Sequence, residues 1–148
     1  MDGLILLNIV FILLGLGMLA YGIYSFLRGR EALSWPSVKG KLIYCELTSD
    51  SDDGSTTWKV EVRYTYRAAG KEHEGTRIAF GYSGSNAKSY HRNVYTRLKS
   101  VSEPTVYYQP QDPADCVLEP GFNRATLGWF VFSALWLIFT IWALTQIA

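Results

Sequence analysis

Apolar residues fill both ends of the chain and alternate with polar ones in between. Residues Leu4 to Leu27 form a run of 24 without a charge, and a second uncharged run of 24 goes from Ala125 to Ala148. At 1.5 Å per residue such a helix is about 36 Å long, enough to cross a hydrocarbon core of about 30 Å with some tilt. The pattern predicts two transmembrane helices, 4–27 and 125–148, around a soluble β-rich domain at 28–124. The first run is too long, and Met1-Asp2-Gly3 ahead of it too poor in basic residues, for a cleaved signal peptide.

Within each span the polar and small residues recur every seven positions: Asn8, Gly15 and Gly22 in the first, Thr126, Ser133 and Thr140 in the second. Each helix therefore carries one narrow stripe. In an antiparallel hairpin Gly22 would face Thr126, Gly15 would face Ser133 and Asn8 would face Thr140. Small residues let backbones approach, and an intramembrane hydrogen bond adds roughly 0.6 kcal/mol, so these six residues are expected to form a helix-packing seam. A homo-oligomer is the alternative use of the same stripes. Tyr21, Tyr24, Trp129 and Trp142 fall where interfacial rings set depth.

The middle segment reads as β structure. Trp58, Val60, Val62, Tyr64, Tyr66 and Ala68 alternate with polar residues, the period of a strand with one face buried. Val38–Thr48 forms a strand ahead of it, joined through a long acidic loop at 49–55. That loop lacks the EF-hand spacing, and its Asp53-Gly54 is turn chemistry. A third strand is expected over Glu72–Phe80, a short amphipathic helix over Asn86–Leu98, and two last strands at Thr105–Gln109 and Cys116–Glu119. The fold class is thus a two-helix antiparallel transmembrane hairpin carrying a small, mainly antiparallel β-sandwich or open barrel with one short helix.

Charge adds orientation. All 14 Lys and Arg lie between Arg28 and Arg124, and Arg28, Arg30 and Arg124 flank the spans on the domain side. The positive-inside rule then puts the domain in the cytoplasm and both termini outside, in a bacterial inner membrane. A net charge of +1 without like-charge blocks gives no sign of nucleic-acid binding. Cys45 and Cys116 read as small buried hydrophobes, pairing only if the domain faced an oxidising compartment.

Three segments, "SWPSVKGKL", "VRYTYRAAGKEHEG" and "VYYQPQDPADCVLEPG", resemble the bacterial DUF3592 family, a domain of unknown function between two transmembrane helices. The segment "LKSVSEPTV" departs from the family in lacking the Tyr-Pro-x-Gly that commonly precedes the fourth strand. The resemblance implies a layout and a membrane location, and it brings no catalytic residues.

Chemistry has little signature here. There is no G-x-S-x-G, H-E-x-x-H, P-loop or G-x-G-x-x-G, and His73 and His91 lack metal-ligand spacing with Cys45 and Cys116. The expectation is a non-enzymatic protein without cofactor or metal. Its partners would be the lipid bilayer and another protein, which it would bind or scaffold. A gating or pore-stabilising assembly and an immunity protein against a membrane-active toxin are the alternatives.

Overall fold

The computed structural model describes residues 2–147. Its element order is α1 (Asp2–Ala32), β1 (Ser37–Asp52), β2 (Ser55–Ala68), β3 (Lys71–Gly75), α2 (Lys88–Lys99), β4 (Thr105–Tyr108), β5 (Cys116–Val117) and α3 (Arg124–Ile147). Both terminal helices are long and apolar enough to cross a membrane. Between them lies one five-stranded open antiparallel sheet of order β3-β2-β1-β4-β5. The described residues form no second sheet of the kind a sandwich needs.

β1 is shared along its length. Ser37–Lys39 pair with β4, and Gly40 onward pairs with β2, with a register shift between Leu42 and Tyr44. The alternating face of β2 supplies the core: Val60, Val62, Tyr64, Tyr66 and Ala68 are buried together with Val94 and Leu98 of α2, Val106 and Cys116. Cys45 and Cys116 are buried free thiols, and burial pushes the Cys45 pKa up.

Three boundaries differ from the sequence reading for physical reasons. The acidic segment is not a long loop. The β1–β2 ladder continues to Asp52 opposite Ser55, and only Asp53 (φ 44°) and Gly54 (φ 80°) turn the chain. A two-residue turn with both φ positive matches the twist of a hairpin, which is why Asp-Gly occupies it. Second, the third strand stops at Gly75 rather than reaching Phe80. At Gly75 a Cβ would sit 2.5 Å from the Tyr64 ring. Beyond it the chain turns to new partners, and the Ile78 carbonyl accepts from the amides of Leu118 (3.1 Å) and Glu119 (2.8 Å). Third, α1 continues past Leu27 to Ala32, so Arg28 and Arg30 lie on the helix itself.

Candidate functional site

The helix seam comes first. Asn8, Gly15, Gly22, Thr126, Ser133 and Thr140 all lie on buried faces. Asn8 Nδ2 donates to the Thr140 carbonyl at 3.1 Å. The other pairings are offset. A Cβ on Gly15 would meet Leu137 and Trp136, and one on Gly22 would meet Trp129 and Phe130, about one turn from Ser133 and Thr126. The offset follows from the tilt of every helical Cβ toward its own N-terminus, which moves each contact of α1 toward later residues of α3. Thr126 is turned instead to the Phe80–Gly81 corner of the domain. Trp136 extends the seam, donating from Nε1 to the Phe11 carbonyl at 2.8 Å. Among the described residues the Asn8 side-chain oxygen has no hydrogen-bond partner.

Where the helices enter the domain, the chain is clamped. The Gly121 amide donates to the Gly29 carbonyl at 2.8 Å, and a Cβ on Gly29 would overlap the Gly121 oxygen. Asp115 accepts from both Arg28 and Arg77. The Arg28 guanidinium also lies over Trp35 (5.1 Å), and Arg77 lies over Phe80 (4.6 Å). Ala32, Trp35, Phe80 and Val117 pack as a second small core at this junction. The segment 106–121 thus contributes Tyr107, Asp115, Val117 and Gly121 to the grip on α1.

Beside the junction, three polar side chains form a chain of hydrogen bonds. His91, fully buried on α2, has Nδ1 2.7 Å from the Tyr82 hydroxyl and Nε2 2.8 Å from Ser85 Oγ. The Tyr82 oxygen also accepts from the Val60 amide at 3.0 Å, and Ser85 Oγ accepts from the Ala87 amide at 3.3 Å. One arrangement satisfies both ring nitrogens and the Tyr82 proton, and leaves only the Ser85 proton without an acceptor inside the network. Tyr82 donates to Nδ1, and His91 donates from Nε2–H to Ser85. Burial lowers the His91 pKa and pushes the Tyr82 phenol up to about 12, so both stay neutral at pH 7. In this tautomer Nε2 cannot take the Ser85 proton, so the pair is not poised as nucleophile and base. No local spacing in the sequence could have disclosed this network. His73 is far simpler, stacking on Tyr66 at 5.6 Å. Among the described residues no group of three or more His, Cys, Asp or Glu is arranged to hold a metal ion.

Ser85 borders a groove of about 680 Å³ where the domain meets the helices. Ser83, Ser85 and Arg124 line its polar end, and Met18, Gly128, Trp129 and Phe132 line its apolar end. Tyr90 closes one side, its hydroxyl donating to Asn123 Oδ1 at 3.0 Å.

Comparison with curated proteins gave no match, and comparison with solved structures gave none either. Residues 38–123, more than half of the chain and all of the sheet but Ser37, together with α2, match the model of a domain of unknown function, DUF3592, and the chain belongs to that family.

Proposed function

We propose that this chain is a two-span membrane protein whose helices form an antiparallel hairpin and whose domain is a non-catalytic protein-binding or scaffolding module held at the bilayer surface. The observation that carries the reading is the bare apolar surface of both helices. Only 11% of each apolar window is buried, and Leu6, Leu13, Leu135 and Ile138 are each more than 60% exposed. A core helix of a soluble protein would be covered, whereas lipid covers such a surface without cost. The polar groups of the spans turn inward: Asn8 and Trp136 bond backbone across the seam, and Ser133 and Thr140 bond carbonyls of their own helix. This leaves little polar lining for a conducting path and favours a self-contained hairpin over a pore. Arg28, Arg30 and Arg124 favour a cytoplasmic domain.

The test uses membranes of cells expressing the full chain. Resistance to carbonate extraction is expected. So is labelling of Ser51→Cys, in a background lacking Cys45 and Cys116, by an impermeant maleimide only after lysis. In detergent, a single copy accompanied by a second protein supports the module, and a defined homo-oligomer without one replaces it with the pore-type assembly.

A further inference from the structure

The groove between the Ser83–Ser85 loop and α3 is graded along its length in the way an amphiphile is. Its apolar end is made by Met18 and Trp129, half-buried at the edge of the seam, and by Gly128 and Phe132, which are exposed. Gly128 leaves room there, since a Cβ at that position would meet nothing within 4 Å. At the other end Arg124 is exposed and has no carboxylate within ion-pairing distance among the described residues. Arg124 also lines a neighbouring groove, whose carboxylate, Glu119, is already taken by Arg97 at 2.6 and 2.9 Å.

The hydrogen-bond network supplies a second, independent pointer. In the tautomer assigned above, Ser85 Oγ receives protons from His91 Nε2–H and from the Ala87 amide, which fills both of its lone pairs. Its own proton is left to donate, and the groove is what Ser85 lines. A hydroxyl donor and an unpaired guanidinium lining one groove are a combination for an anion, and the strongest fit to planar guanidinium and hydroxyl donors is a phosphate. The apolar end asks for hydrocarbon.

We propose that this groove binds one phospholipid with an anionic headgroup, its phosphate between Arg124 and Ser85 and an acyl chain along Gly128, Trp129 and Phe132. The inference rests on the membrane-spanning reading above, because it places the apolar end in the hydrocarbon and Arg124 at headgroup depth. Carbonate extraction tests that reading separately.

The experiment is native mass spectrometry of the full chain, released from detergent with added phosphatidylglycerol, phosphatidylcholine or inorganic phosphate. One retained phosphatidylglycerol is expected, in preference to phosphatidylcholine. Arg124→Gln should weaken retention roughly tenfold, the worth of one charge-assisted contact. Gly128→Leu, which fills open space, should abolish it while leaving the thermal unfolding midpoint unchanged. Arg30→Gln and Gly17→Leu, at the interface and on an open helix face outside the groove, should retain lipid as the unmodified chain does. Equal retention in Gly128→Leu, or equal loss in Arg30→Gln, would overturn the site. Full displacement by millimolar inorganic phosphate would overturn it too, by showing an anion site that does not read the acyl chain.

Discussion

With Tyr82 donating to one nitrogen of His91 and Ser85 receiving from the other, a second ring proton at Nδ1 would have to face the proton of the Tyr82 hydroxyl. Burial holds His91 neutral in the folded state, below its ordinary pKa, while an unfolded histidine titrates near about 6.5. The stability this contributes is complete above that value and is lost as pH falls through it toward the folded pKa. Unfolding midpoints measured between pH 7.5 and 5.5 should fall for the natural chain and fall less for His91→Gln. Parallel slopes in the two proteins would leave His91 without a part in the pH dependence. The sequence gives His91 a place on a predicted helix and no more. Its partners lie nine and six residues back, across a loop whose path depends on the isolated bridge of Trp58 to Ser85. By contrast the burial of Asn8, Gly15, Gly22, Thr126, Ser133 and Thr140 follows a pattern visible in the sequence, because a seven-residue recurrence of small and polar side chains survives in any straight helix.

At the scale of elements, glycine separates packing from mere presence. Gly29 touches the Gly121 backbone, whereas a Cβ on Gly17 would meet nothing within 4 Å. Gly29→Ala should cost about 1–3 kcal/mol, as overpacking does. Gly17→Ala should leave stability unchanged or raise it by at most about 1 kcal/mol, the helix preference of alanine. Denaturation in a fixed detergent reads both, and equal effects would mean that the Gly29–Gly121 approach carries no strain. The strands show the same division between what pattern discloses and what contact decides. The alternation from Trp58 to Ala68 gave β2 its buried face correctly, since period two is local. The end of β3 was not legible, because it is fixed by Tyr64 against Gly75 and by Leu118 and Glu119 claiming the Ile78 carbonyl. Asn8 meets Thr140 as its index predicts, while the Gly15 and Gly22 contacts fall one turn later on α3, since pairing by index alone ignores the lean of the Cβ bonds.

For the whole molecule, Asp115 decides how firmly the domain and helices move together. It takes Arg28 from α1 and Arg77 from the segment after β3, with its side chain 21% exposed. Asp115→Asn removes the charge from both contacts and should cost about 1.5–3 kcal/mol. It should also raise the rate of proteolysis in the 33–36 and 118–123 connections without altering membrane extraction. Unchanged cleavage there would show that the second core around Trp35 and Phe80 suffices by itself. The three-part organisation was plain from the distribution of charge, but the grip was not, because Arg28 and Asp115 stand 87 positions apart with no pattern between them.

The bridge of Trp58 to Ser85 also decides where the acidic hairpin end can travel. Ser85 borders the groove at the head of α3, and Gly54 is four strand residues beyond Trp58, a reach of about 13 Å. On the membrane-spanning reading proposed above, this tether keeps Asp52 and Asp53, at the tip, within about 20 Å of a groove at the helix entrance. A tip so tethered would meet neighbours anchored in the same membrane by a search in two dimensions, in which even a weak contact is repeated often enough to matter.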